Sequence, residues 1–306
     1  MKRNMNIIGN LRLFDLCLPG SHDSGSFNLT DDLIDVPEFL AEIVKVADIL
    51  GLDVGDIIDG WAKTQTVDFF TQLSLGIRYL DIRAFYDAPS NTWKLHHGPV
   101  AGNPISILFD ELKQFVSLHP EEVLVIEVAV DDPGTAANQL VFQQLVQNSI
   151  GSKLWPVTKG FQTINSMVSS GQTIIMTIDI PILNNIVWPR STIYNTYANS
   201  PDLPTMEQFN INTVKLWDQR RKDNQQLFKI SWTLTANSTT ILEMVFPDSP
   251  HNLIELADIA NSDFENWYNS NMKGYAYPVL GNILIIDDLT NSAIFTLSQK
   301  GSSIVI

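Results

Sequence analysis

What most constrains the fold of this chain is a rhythm: short apolar runs alternate with amphipathic stretches along its whole length, and no linker or low-complexity segment divides it. The strand candidates are Leu11 to Leu18, Ile77 to Phe85, Val123 to Val130, Thr173 to Ile178, Leu227 to Leu234 and Asn282 to Ile286. Several are apolar on both faces, as parallel strands covered by helices must be. Between them lie amphipathic stretches such as Pro104 to Ser117, ended by His119-Pro120, and Gly134 to Asn148. Strand, helix and strand repeating in units of about 30 to 50 residues predict an α/β fold, a (β/α) TIM-type barrel, regular or distorted and incomplete. One domain over 1–306 is expected, with a helical insertion at about 30–60, where Leu40, Ile43, Val44, Ala47 and Leu50 recur at helical spacing.

Charge narrows the partners. Asp and Glu total 34 against 19 Lys and Arg, a net charge of −15, and no Lys/Arg run offsets it. A nucleic-acid partner is therefore not expected. The single cysteine, Cys17, can form neither an internal disulfide nor a cysteine zinc site, and its neighbours Phe14, Leu16 and Leu18 predict a buried thiol. Met5 to Ile8 is too short for the apolar region of a signal peptide. No window reaches the roughly 20 apolar residues that cross a bilayer. The expectation is a soluble chain, cytoplasmic or exported by a non-classical route and peripheral on membranes. No cofactor is expected.

The candidate chemistry gathers at strand ends. The first run leads into Pro19-Gly20-Ser21-His22-Asp23-Ser24, which puts His22 in a turn where a barrel keeps its catalytic groups. In Gly76-Ile77-Arg78-Tyr79-Leu80-Asp81-Ile82-Arg83, alternation places Ile77, Tyr79, Asp81 and Arg83 on one face and Arg78, Leu80 and Ile82 on the other. If the first face lines a barrel, Asp81 and Arg83 stand near its mouth, where buried charges persist only when paired or used. Arg78 is read as an exterior ion-pairing residue. His97 ends Lys94-Leu95-His96-His97-Gly98, Glu127 ends an apolar run, and Asp287-Asp288 follows Asn282-Ile283-Leu284-Ile285-Ile286. His96 is out of phase with His97 and is read as packing or solvated, and His119 and His251 as loop and surface residues.

Together the Pro19 to Ser24 segment, the Gly76 to Arg83 strand, His97-Gly98 and Leu118-His119-Pro120-Glu121-Glu122-Val123 resemble the X domain of phosphatidylinositol-specific phospholipases C. Trp61-Ala62-Lys63-Thr64-Gln65, Trp188-Pro189, Trp232-Thr233-Leu234-Thr235 and the strand from Asn282 to Asp287 look like those of the X-domain-only members. The resemblance implies cleavage of a phosphatidylinositol-like lipid at a membrane surface. The inositol 2-hydroxyl would attack, giving diacylglycerol and a cyclic inositol phosphate. By matching positions, His22 would be the general base, supported by Asp287, and His97 the general acid, its ring held by Asp23. Alternation lets only one of Asp287 and Asp288 face inward, and Asp287 is the choice. Two imidazoles, each oriented by a carboxylate, suit acid and base roles near neutral pH.

Negative charge building on the phosphate oxygens needs a fixed cation. Arg83 stands where the calcium-dependent members need a carboxylate, so the resemblance implies metal-independent catalysis with Arg83 in the ion's role and Asp81 positioning it. Glu127 is a structural or substrate-binding residue on this reading. Lys113, Asp179, Arg190 and Tyr194 are further head-group candidates, and Pro181 to Pro204, with Trp188, Tyr194 and Tyr197, is a candidate aromatic rim. The alternatives are a metal-dependent glycerophosphodiesterase or sphingomyelinase-D-like barrel and a non-catalytic phosphoinositide-binding barrel.

Overall fold

A computed structural model of the chain describes residues 1, 4–34, 44–49, 51, 53–180, 185–220, 226–271 and 281–290. Its strands, in chain order, are β1 (Leu18–Ser21), β2 (Leu29–Leu33), β3 (Tyr79–Asp87), β4 (Thr92–His97), β5 (Val100–Pro104), β6 (Leu124–Asp132), β7 (Ile174–Ile178), β8 (Trp188–Pro189), β9 (Ile193–Asn195), β10 (Leu227–Trp232) and β11 (Ile283–Ile286). Eight of them are parallel neighbours. One arc runs β1-β3-β6-β7-β8 and the other β1-β11-β10-β9. The arcs meet at β8 and β9, which are joined by one 3-10 turn, Arg190–Thr192, and share no ladder among the described residues. The result is the expected (β/α) barrel in distorted form, open along one seam.

Alternation along each strand separates two apolar layers. Tyr79, Val125, Ile175, Leu227, Ile283 and Ile285 fill the barrel interior, while Leu80, Ile82, Ile126, Ile230 and Trp232 point outward into the helices. Helix α1 (Val54–Ala62) starts on an Asp53 cap, and α2 (Ser106–Leu118) buries Leu108, Phe109, Leu112, Phe115 and Val116. A Thr135/Asn138 capping box opens α3 (Ala136–Ile150), and α4 (Leu253–Asn271) supplies Phe264 and Trp267 against Trp232. Inside the barrel, Gly20 is where Tyr79 and Ile285 meet. A Cβ there would lie 2.7 Å from Tyr79 Cδ1 and 2.8 Å from Ile285 Cγ2.

Three readings of the sequence change. Leu11 to Leu18 is not a strand: Leu13–Asp15 is a 3-10 turn closed by the Asp15 carboxylate, which accepts from the Arg12 backbone N–H at 2.9 Å. That local bond competes with a ladder, and Leu13, Phe14 and Leu16 plug the barrel floor instead. The strand begins only at Leu18. Next, His97 belongs to no barrel strand. The outer half of β3 leaves β1 and pairs antiparallel with β4, and β4, β5 and β2 form a side sheet. Finally, the 30–60 segment is partly strand. It holds β2, a helical stretch over 44–49 with Val46 and Ala47 buried, and the start of α1. Leu40, Ile43 and Leu50 lie outside the described residues, as does the start of the Pro181 to Pro204 rim. Cys17 is buried, which pushes its thiol pKa up to about 12. No described helix is long and apolar enough to cross a membrane.

Candidate active site

The site begins in the turn after β1. Asp23 has a φ of 38°, a conformation few residues other than glycine adopt but one that Asp tolerates. Its neighbours hold it there. The Ser24 N–H donates to the Asp81 carbonyl at 2.7 Å, and the Asp81 N–H donates to Ser24 Oγ at 2.9 Å. From the segment after α1, Thr64 Oγ1 donates to the carbonyls of His22 and Asp23 at 3.1 and 3.2 Å, and Gln65 Nε2 donates to those of His22 and Ile286 at 3.0 Å each. The turn is thereby fastened to β3 and to the end of β11.

The carboxylate of Asp23 is the hub of that cluster. Its Oδ2 lies 3.2 Å from His22 Nε2 and 2.9 Å from His97 Nε2, and its Oδ1 accepts from Arg83 Nε at 2.5 Å. His22 Nδ1 faces Asp287 Oδ1 at 2.7 Å, and the two imidazole centroids are 6.3 Å apart. His97 Nδ1 is 2.5 Å from the Ala62 carbonyl, which can only accept, so that nitrogen carries a proton and Nε2 is the one turned to the site. Burial alone would lower the His22 pKa, but the charges of Asp23, Asp287 and Asp81 outweigh it and raise the imidazole to about 9. Burial pushes Asp23 up, and its three cationic neighbours more than reverse this, holding it well below the usual carboxylate range. Asp287 is lifted by burial, with His22 drawing it part of the way back. Arg83 is held charged chiefly by Asp23, while its side chain stays 39% exposed.

A second charged group lies deeper in the barrel. Lys229 Nζ is 3.0 Å from Glu127 Oε2, donates to Tyr79 Oη at 3.0 Å and stands 3.8 Å from Asp81. The Tyr79 hydroxyl also donates to Glu127. Arg190 Nε reaches Glu127 Oε1 at 2.8 Å, and its Nη1 stands 3.8 Å from Asp179. Burial would raise Glu127, but Lys229, the Tyr79 bond and Arg190 keep it lowered and ionised.

Of the residues singled out in the sequence, His22, Asp23, Arg83, His97 and Asp287 meet in the first cluster. Asp81, Glu127, Asp179 and Arg190 meet in the second. Lys113 does not join them: it lies on the exposed face of α2, whose other face packs on the barrel's outer wall. Tyr194 is opposite Phe228 in register and stacks on it at 4.6 Å, on the face of the sheet opposite to Lys229. Asp288, with a φ of 40°, turns away and accepts from Thr290 and Thr66. His96 faces Asp131, and Arg78 pairs with Glu122 outside the barrel. Lys229, Thr64 and Gln65 were not singled out for a role. Their signals were a lysine inside an apolar strand and two polar residues following Trp61.

One set of side chains could hold a cation. Ligand atoms of His22, Asp23 and Asp81 lie within 4.8 Å of one another, although Arg83 and Lys229 already face the two carboxylates.

No model of a known protein family matches the chain. Over 134 residues it is 30% identical to a 1-phosphatidylinositol phosphodiesterase of Staphylococcus aureus (strain Newman), covering 44% of this chain and 35% of that protein. It is 23% identical over 243 residues to PI-PLC X domain-containing protein 3 of Mus musculus, covering 78% of this chain and 74% of the other. The human PI-PLC X domain-containing protein 2 is 27% identical over 201 residues, 62% of this chain and 63% of its own. Among solved structures, a phosphatidylinositol-specific phospholipase C from Listeria monocytogenes superposes with a TM-score of 0.64 at 20% identity, covering 95% of this chain and 93% of that one. A Staphylococcus aureus enzyme of the same description gives 0.63 at 18% identity over 94% and 90%. The chain is thus a relative of the PI-PLC X domain proteins over most of its length, built on the barrel of the bacterial phosphatidylinositol-specific phospholipases C.

Proposed function

We propose that the chain is a phosphodiesterase of the phosphatidylinositol-specific phospholipase C kind, acting peripherally on a phosphatidylinositol-like lipid without a metal ion. The observation that carries the reading is the sharing of one buried carboxylate, Asp23, by two imidazoles and a guanidinium. That is the equipment for moving a proton on each side of a phosphorus atom whose oxygens need a fixed positive charge. On this reading the inositol 2-hydroxyl attacks phosphorus as His22 Nε2 takes its proton. The bond to the glycerol oxygen breaks as His97 Nε2 protonates that oxygen, and the cyclic inositol phosphate and diacylglycerol leave. Asp287 fixes His22 through Nδ1 and stabilises its protonated form, and the Ala62 carbonyl fixes His97. Arg83, partly exposed beside Asp23, is placed to bind a non-bridging phosphate oxygen. Glu127 and Arg190, with Lys229 beneath them, offer acceptors and donors to the hydroxyls of the head group.

The trio His22, Asp23 and Asp81 favours a second reading, in which a divalent cation does the work of Arg83. Placing the ion there would require displacing the Arg83 and His97 contacts to Asp23. Release of water-soluble inositol phosphate from phosphatidylinositol vesicles separates the two. Activity is expected to persist in EDTA, to disappear in His22→Ala and to fall by about 10²-fold or more in Arg83→Ala. Strict dependence on added Ca²⁺ would sink the metal-free mechanism.

A further inference from the structure

Beside the two imidazoles opens a cavity of about 130 Å³. His22, His97 and Asp287 line one part of it, and Trp61, Leu234 and Leu253 make much of the rest. An apolar cavity of about 150 Å³ holds a benzene-sized body, so this one takes a few methylenes and not a whole acyl chain. Its wall contains one buried polar atom without a partner among the described residues. Trp61, only 5% exposed, leaves its indole Nε1–H unbonded, although buried indole donors are ordinarily satisfied. Trp155, Trp188, Trp232 and Trp93 each donate to a backbone carbonyl. The unpaired donor sits in the last turn of α1, one residue before Ala62, whose carbonyl anchors His97.

We infer that this cavity receives the leaving-group side of the substrate and that the Trp61 Nε1–H donates to the carbonyl oxygen of an acyl ester on its glycerol. The inference rests on the phospholipase reading, because His97 is the group that protonates the departing oxygen. A donor one residue from the anchor of that acid stands where the glycerol esters follow the leaving oxygen. An apolar cavity with one unpaired donor matches an ester: its carbonyl only accepts, and its methylenes fill the remaining space. An ether-linked chain of equal length has the same methylenes and no carbonyl, so it leaves the donor buried and unpaired, and sites built around such a bond discriminate strongly against the analogue lacking it.

The test compares two soluble lipids, dihexanoyl phosphatidylinositol and its dihexyl ether analogue, by kcat/KM for inositol phosphate release. The wild type is expected to favour the diester by about tenfold or more, and Trp61→Phe to bring that ratio close to one. A wild-type ratio near one overturns the inference without recourse to any variant. So does a Trp61→Phe enzyme that is slower on both lipids with the ratio kept, which would make Trp61 a packing residue. Turnover of both lipids at one rate leaves the phospholipase reading standing, whereas release from neither overturns that reading and the inference with it.

Discussion

His22 is held between two buried carboxylates, Asp23 on one ring nitrogen and Asp287 on the other. Together they overcome burial and lift its pKa to about 9, so the resting ring is an imidazolium at neutral pH and must lose that proton before it can serve as a base. The sign of the linkage follows. A folded value above the unfolded value of about 6.5 stabilises the fold below that pH, and this contribution fades as pH rises through about 9. In Asp287→Asn one of the two anions is gone. The His22 pKa, read by NMR titration of the ring protons, is expected to fall by a unit or more, and an unchanged value would mean that Asp23 alone sets it. At this scale much was legible: His22, Asp23, Arg83, His97 and Asp287 each stand where a strand or turn ends in a charge, a pattern visible in one dimension. Lys229 was not, because Phe228-Lys229-Ile230 reads as an apolar run with one misfit. Only the closed curvature of the sheet shows that the misfit points at Glu127.

Among the elements, β1 does the most positioning with the fewest residues. Four residues cross the barrel wall, one of them Pro19, and Gly20 lets Tyr79 and Ile285 close over the chain. Gly20→Ala puts a methyl group 2.7 to 2.8 Å from both side chains. The expected cost is about 1–3 kcal/mol of stability, measured by urea unfolding, together with loss of activity because His22 is two residues downstream. A variant as stable and as active as the wild type would show that the interior has room to spare. The strand itself was misplaced by sequence periodicity, because the apolar residues of Leu11 to Leu16 serve the barrel floor, and apolar content alone does not distinguish a floor plug from a strand. The side sheet escaped for a related reason. The β3-β4 pairing depends on β3 outrunning β1, and a strand's length relative to its neighbours is not written within its own residues.

The whole molecule carries a net charge of −15, yet its proposed substrate is an anionic lipid. Proteins that seek such surfaces with basic clusters gain roughly 1 kcal/mol per Lys or Arg, and salt weakens them. Here the long-range term has the opposite sign. The net charge repels a phosphatidylinositol surface over the Debye length, about 30 Å at 0.01 M salt and about 8 Å at 0.15 M, while the local cations Arg83, Arg190 and Lys229 act only inside the mouth. Raising salt therefore removes the repulsion and leaves short-range contacts in place. Partition onto vesicles of phosphatidylinositol in phosphatidylcholine, followed by sedimentation, is expected to increase from about 0.01 M to about 0.15 M NaCl. The increase should be larger the more anionic lipid the vesicle contains, and soluble short-chain substrate should show a smaller response. A decrease with salt, the behaviour of a polybasic binder, would place a basic face against the membrane and refute the argument from net charge.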